Sequence, residues 1–600
     1  MTRSLSLALL LVIGGLFMLS ASNGTVAQNP VPTLIPPTPI PRDDSGIGEI
    51  LPTQSAVARI QERGVAKVGI LFNAPPFAEL NIRGELRGFD ADLARLMAEA
   101  WGVEVEFVQI TRDMDVAIER LRIGEIDFLV GALINHRDLT AALEFSQAYY
   151  LGQKSVMVRG GDSEPQSLAD LQSRRVGVVI ATPAETSLRS WMARTDSNFD
   201  IQTYLTLDEA FTALVAREID GVVDSDYRLN HVSVRQPEGV KLLTESIEFE
   251  PYAIGIQRQD INLRQLINRT LQYLTAQGEM QAIYQEYFPG RAFRAVDIWD
   301  NIGQEAPRPV EYASNIELPD EFVVGSFVSD PVLRVAGLLG VTADSEATES
   351  EVRLDTFHRS LVEEIARRWG VTVTYVTDST LNAIDLVANG EADIAIGIAP
   401  DWNHSEEVSF TSHYLRHGFR LMIRSEDENN IRGFGDISGE LLVTPVNEAN
   451  TVDYARSIAE ARDWRLDFAQ QREADLGFVL LGGDEELEPE AVFADSMKLV
   501  PHIEEHPDEL MLTDMDTGAP RWYAPSQIEG EDFTYRMMVM AVPRNDVDFR
   551  LLVEFTLQEL ARDGTLANLL TAVMPEDEIP MFEIWPGPQR YLGIPLTSGG

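Results

Sequence analysis

The 600-residue chain contains no cysteine. This excludes disulfides, thiol catalysis and zinc–thiolate centres, and with them a lipidated N-terminal cysteine as an anchor. Lysine is almost missing as well, occurring only as Lys67, Lys154, Lys241 and Lys498. Positive charge is short overall: 48 Lys and Arg stand against 95 Asp and Glu, a net charge of −47. A surface so acidic repels nucleic acid and anionic lipid, so neither is expected as a partner. After residue 22 no apolar run is long enough to span a bilayer. Walker loops, G-x-S-x-G elbows and dinucleotide fingerprints are absent too. No catalytic residue, metal or cofactor is therefore assigned.

What the sequence does have begins with Met1–Ser22, one Arg followed by an apolar run of signal-peptide type. Thr25-Val26-Ala27 makes a cleavage site before Gln28, with an uncleaved anchor as the alternative, which would keep the protein close to the membrane. Residues 28–54 form a Pro-rich stalk, seen best in PVPTLIPPTPIPR (Pro30–Arg42). Both readings place the remainder outside the cytoplasm.

That remainder is duplicated. TLQYLTAQG (Thr270–Gly278) returns as TLQELARDG (Thr556–Gly564), an offset of 557 − 271 = 286. The same offset relates Arg258, Asp260 and Arg264 to Arg544, Asp546 and Arg550. Upstream, AEAWGVEV (Ala98–Val105) matches ARRWGVTV (Ala366–Val373), and GEIDFLVG (Gly124–Gly131) matches GEADIAIG (Gly390–Gly397) at an offset of 266. Many matches at nearly one offset mean duplication of whole domains. The drift from 266 to 286 puts an insertion in the later part of the second copy, with the acidic GGDEELEPE (Gly482–Glu490) and the polar stretch after Val500 as its expected places.

Within the first copy, apolar runs at Val65–Leu71 and Ile126–Leu133 and the alternating Val103–Ile110 read as strands. Helical spacing covers Asp90–Trp101, stopped by Gly102, and Val116–Arg122. This strand–helix alternation predicts a mostly parallel sheet flanked by helices. A second α/β lobe follows, with strands at Arg175–Ile180 and Ile219–Ser225 and helices at Ala184–Ala193 and Leu207–Arg217. Tyr252–Arg258 reads as a strand returning to the first lobe, and a single long helix is expected over Ile261–Tyr287.

Val68–Phe107, IDFLVGAL (Ile126–Leu133), EFSQAYY (Glu144–Tyr150), Leu168–Thr186 and AQGEMQAIYQEYFPG (Ala276–Gly290) together resemble the amino-acid-type extracytoplasmic solute-binding proteins of ABC importers. The resemblance implies an α/β protein of two tandem bilobal modules with the type II periplasmic-binding-protein fold. It divides the chain into module 1 at 55–290, a linker at 291–318, module 2 at 319–576 and a tail at 577–600. In module 1, lobe 1 takes about 55–150 and 250–290, and lobe 2 takes 151–249. It implies a small polar solute as ligand and an importer's permease as partner. A surface sensor or scaffold, and a dehydratase-type enzyme on the same fold, stand as alternatives.

Ligands of open α/β sheets bind beyond the carboxyl ends of the strands. Asn73 and Phe77, in the turn after the first strand, and Ala132, after the third, are candidates on that ground. In the family an Arg after the third strand clamps the ligand carboxylate, and here that position is Leu139. Arg137, two residues earlier, is either a relocated clamp or a surface residue. The family's Gly-Thr-Thr turn becomes Ala181-Thr182-Pro183, with Thr182 as candidate. The acid for a ligand amine aligns with Ser225, flanked by Asp224 and Asp226, and Asp224 is taken. In module 2 the candidates are Phe327, His404, Asn447 and Asp495. Differing residues predict that module 1 binds and module 2 has diverged. His502–His506 matches H-x-x-E-H, but Pro501 and Pro507 are expected to break the helix that this motif needs.

Overall fold

The computed structural model describes residues 54–111, 113–161, 164–234, 239–289, 293, 296–319, 321–338, 340, 347–431, 433–446, 449–461, 463–484, 486–513 and 536–574. The leader, most of the stalk, the tail and Asn447 lie outside them. Among the described residues no helix is long and apolar enough to cross a membrane.

Each copy is mixed α/β, and each carries the same internal ties. Trp101 Nε1 donates to Thr270 Oγ1 at 2.7 Å and Trp369 Nε1 to Thr556 Oγ1 at 2.9 Å, fastening the helix that follows the first strand to the closing helix. Asp260 caps the closing helix Ile261–Ala276 through Leu263 N–H, and also accepts from Ser55 and Ala56. Asp546 does both jobs in copy two, capping Val547–Arg562 through Phe549 N–H and accepting from Val323 N–H at 2.8 Å. Asp127 and Asp393 each take the backbone N–H of the neighbouring strand, from Lys67 and Arg334. The repeated residues are thus largely ties of the scaffold. A buried carboxylate without such donors would cost several kcal/mol.

In copy one the first lobe places Glu104–Gln109, Val65–Ile70 and Phe128–Leu129 in parallel. The second lobe does the same with Gly221–Ser225, Arg175–Val179 and Asp200–Tyr204. Two long antiparallel strands, Leu143–Arg159 and Val240–Gln257, run through both lobes and join all of these into one eight-stranded sheet. The returning strand is thus 18 residues long and starts well before Tyr252. The lobes remain distinct because register shifts bend the hinge pair between Leu242 and Gly255, where the strands pass from one lobe to the other.

Copy two has the same order in two separate sheets. One joins Thr372–Tyr375, Val332–Ala336, Ile394–Ile398, Arg536–Pro543 and Val408–Phe410, with the hinge strand Leu415–His417 also paired to Arg536–Pro543; the other joins Asp467–Gln471, Leu441–Pro445, Ala491–Asp495, Phe419–Arg424 and Leu510–Leu512.

Two expected elements differ. The helix over Ile261–Tyr287 is two helices, Ile261–Ala276 and Glu279–Tyr287, because Gly278 takes φ 78° between them. Conversely, Ser496–Glu505 is one helix that runs through Pro501. His502 lies within it, its Nε2 2.7 Å from Glu473 O, a backbone contact rather than a metal ligand set.

The segment 296–319 packs between the copies. Trp299 packs against Trp402 with ring centres 4.7 Å apart, Asp300 N–H donates to Pro400 O, and Trp402 N–H donates to Asp300 O. Nearby, Arg544, just before the second closing helix, donates to Asn262 at 2.8 Å and to Gln265 at 3.0 Å on the first closing helix.

Candidate functional site: the interlobe grooves

In copy one a narrow space of about 40 Å³ lies between the lobes, walled by Ile134–His136 of lobe 1, Pro183 and Ser187 of lobe 2, and Lys154 with Glu248–Pro251 of the hinge strands. The centre of this wall is charged. Lys154 Nζ is 2.5 Å from Glu250 Oε1 and 2.8 Å from Ser225 Oγ, with Lys154 and Glu250 only 5% and 4% exposed. Glu250 Oε2 and the groove-lining Asn135 Oδ1 have no hydrogen-bond partner among the described residues. Asp224 lies beside Lys154's partner Ser225, accepting its N–H at 2.7 Å and pairing with Arg228 at 3.0 Å. Burial raises the Asp224 carboxyl above its usual range, against the opposing pull of Arg228 and Lys154.

The loops bordering the groove are held in unusual conformations. Ala132 has φ 51° and Ala181 has φ 56°, left-handed positions that side chains other than glycine seldom take. Asp90, fully buried, holds Ala132 by accepting its N–H at 2.6 Å and also accepts from Tyr149 at 2.8 Å. Burial pushes Asp90 up to about 6, with those two donors working against it. Ala181 is held by Glu185 Oε2 at 2.9 Å. Strained residues beside the groove, each held through its N–H by a carboxylate, point to a role for it.

The candidates scatter. Phe77 is buried: it stacks on Tyr252 at 4.9 Å, meets Tyr150 at 5.2 Å, and is met at 5.2 Å by Tyr227 from lobe 2. Its loop comes so close to Gly88 that a Cβ there would meet Phe77 O at 2.2 Å. Asn73 is exposed in a small three-stranded sheet. The Thr182 hydroxyl donates to Val179 O at 2.7 Å, within its own turn. Arg137 reaches away from the groove, pairing with Glu559 of copy two at 2.7 Å and lying 4.3 Å from the Phe555 ring centre. It therefore serves the contact between copies and not a clamp.

In copy two, Phe327 precedes the first strand and packs on Trp369 and Phe549. His404 sits in a surface turn, 2.8 Å from Glu407. Asp495 is buried and bonded to His417 at 2.8 Å, with Arg536 at 3.9 Å. Equivalent strand pairings compare the two grooves. Lys154 opposes Ser225 as Phe419 opposes Asp495, and Gly152 opposes Glu250 as His417 opposes Arg536. Copy two has lost the lysine, reversed the charge of the glutamate and placed the acid on lobe 2. Lys154 and Glu250 escaped the sequence reading; the one signal was a lysine, rare in this chain, inside an apolar strand. Among the described residues no cluster of three or more His, Asp or Glu is placed to hold a metal.

The family model for bacterial extracellular solute-binding proteins, family 3, matches residues 66–290 and again 346–574. The chain belongs to that family. Its two matches coincide with the two bilobal halves described above. Among relatives, the histidine-binding periplasmic protein of Salmonella typhimurium is 24% identical over 221 residues, 36% of this chain and 83% of that protein. The L-arginine-binding protein of Pseudomonas aeruginosa is 24% identical over 229 residues, 37% of this chain and 87% of that one. Among solved structures, the P235GK mutant of the arginine-binding protein of T. maritima is 25% identical, covering 39% of this chain and 99% of its own, with a TM-score of 0.30. This family member is thus a tandem, and each of these two relatives matches a stretch about as long as one module.

Proposed function

We propose that the first module is the receptor of this tandem, capturing an amino-acid-like solute outside the cytoplasm for delivery to an ABC importer, by binding and not by catalysis. The observation that carries the reading is the Lys154–Glu250 pair buried in the interlobe groove, with Glu250 Oε2 and Asn135 Oδ1 left to accept hydrogen bonds from a guest. Two acceptors favour a solute rich in donors, and the relatives named for histidine and arginine binding agree with that chemistry.

At about 40 Å³ the groove as it stands is far smaller than a small-molecule site of roughly 300 Å³ or more. Entry therefore requires the lobes to part, and the bent hinge strands supply the place. The second module, lacking lysine and carrying Arg536 where Glu250 stands, takes a different guest or none. Asp224 holds the N–H of Ser225, the hydroxyl partner of the lysine; Ala132 and Thr182 fix the two rims.

The test is thermal unfolding of the full chain against a panel of amino acids and related polar solutes. A saturable stabilisation by one of them, reduced in Glu250→Gln, is the expected outcome; no shift from any member counts against it. One observation favours a second reading. With Leu139 at the clamp position and Arg137 committed to Glu559, a sensor without transport also fits. Deleting this protein's gene and finding uptake of the identified solute unchanged selects that reading.

A further inference from the structure

The two modules meet across a seam that is itself polar, buried and hollow. A cavity of about 130 Å³ lies there, lined by Glu144, Phe145 and Arg264 of module 1, Trp299 of the connecting segment, and Phe410 and Arg550 of module 2, among others. The wall is built from duplicated positions, since Arg264 and Arg550 are equivalent residues of the two closing helices. One element breaks the symmetry: Glu144 has Ser409 as its counterpart, so a single carboxylate faces both arginines. Arg264 Nε lies 3.0 Å from Glu144 Oε1, and Arg550 Nη2 bonds that same oxygen. Arg550 Nη1 goes to Glu554 at 2.9 Å.

This arrangement leaves two complementary groups without hydrogen-bond partners among the described residues: Glu144 Oε2, an acceptor, and Arg550 Nε, a donor. Both residues are only 2% exposed, and both line the cavity. Buried charged groups with unmet hydrogen bonds are costly, and an apolar packing of the same volume would serve stability better.

We propose that this seam is a second binding site, taking a compact zwitterionic solute whose ammonium meets Glu144 and whose carboxylate meets Arg550. A zwitterion offers a donor to Glu144 and an acceptor to Arg550, whereas a simple anion or cation satisfies only one of the two groups. A cavity of about 130 Å³ suits a small guest, of the size of the smallest α-amino acids. Bound there, the solute touches both modules and ties their association to solute concentration. The site is separate from the interlobe grooves and does not depend on what they bind.

Glycine is the probe. A crystal structure of the full chain grown with glycine is expected to show it in the seam, its carboxylate toward Arg550 and its ammonium toward Glu144. Calorimetry on the full chain is expected to give a saturable heat with glycine that neither acetate nor methylammonium reproduces. Glu144→Gln and, independently, Arg550→Lys are expected to weaken that heat by about tenfold or more, the usual effect of losing a charge-assisted partner. Ordered water alone in the seam overturns the proposal, as does glycine seen at crystal concentration only, without the heat. Glycine found in a groove and not in the seam also overturns it, while leaving the groove reading intact.

Discussion

Lys154 and Glu250 form an ion pair that is almost wholly desolvated, with side chains 6% and 5% exposed and 2.5 Å apart. Removing one partner strands the other charge in the hinge. Lys154→Met leaves Glu250 without a cation at 2.5 Å, and Glu250→Leu leaves Lys154 with Ser225 alone. Each single substitution is expected to cost about 3–5 kcal/mol, the usual penalty for breaking a buried pair. For a unit of this size that is a fall of roughly 6–20 °C in the unfolding temperature of the first module. The double variant removes both charges and both desolvation penalties, so its stability is expected within ~1 kcal/mol of the parent. The assay is scanning calorimetry on all four proteins, closing a double-mutant cycle. If the two single effects simply add, the pair is not coupled and the electrostatic account of the groove is refuted. The cycle also separates stability from function, because the double variant is expected to be stable yet unable to bind the groove's solute.

Three further outcomes follow from other parts of the molecule. Asp90 is raised to about 6 in the fold against ~3.9 for a free Asp, so the folded state binds the extra proton between those values. Its contribution is fully present below about 4 and lost as pH rises through about 6, a swing of ~3 kcal/mol; urea midpoints are expected to rise on acidification from pH ~7.5 to ~5, and Asp90→Asn to flatten that rise. Asp546, also pushed up to about 6 by burial, works in the same direction in the second module. Trp299→Ala removes the ring that packs on Trp402 and Phe410 while keeping the backbone N–H bonded to Gln272, a loss of about 3–5 kcal/mol; calorimetry is expected to show the modules unfolding at separate temperatures, and the parent unfolding them together.

Much of the scaffold could be read from the chain because duplication marks it. Asp260 and Asp546, Trp101 and Trp369, and Thr270 and Thr556 repeat because each pins a closing helix to its lobe. Local errors came from backbone detail. Gly278 divides a helix whose apolar spacing runs on through it, acting as the breaker that the spacing hides, whereas Pro501 is absorbed inside a helix against the simplest reading of breakers. The hinge strands exceed their apolar cores because Lys154 and Glu250 continue the ladder while breaking the apolar pattern.

The site was less legible for a physical reason. Arg137 is drawn off by Glu559, and Glu144 by Arg550 from 406 positions away. No periodicity reports contacts of that range, and alignment to a family's motif cannot foresee that a duplicated partner has taken over a side chain. Asp495 shows the reverse case. Its position at a strand end was visible, yet its neighbours His417 and Arg536 come from hinge strands whose pairing only the fold reveals.

Hydrogen-exchange mass spectrometry of the full chain, titrated with the solute that stabilises it, tests the central claim most directly. The groove account predicts solute-dependent protection in residues 132–136 of lobe 1, 181–187 of lobe 2 and the hinge around 154 and 250 together, with none around 417 and 495 of the second module. Protection confined to one lobe, or appearing only in the second module, contradicts it.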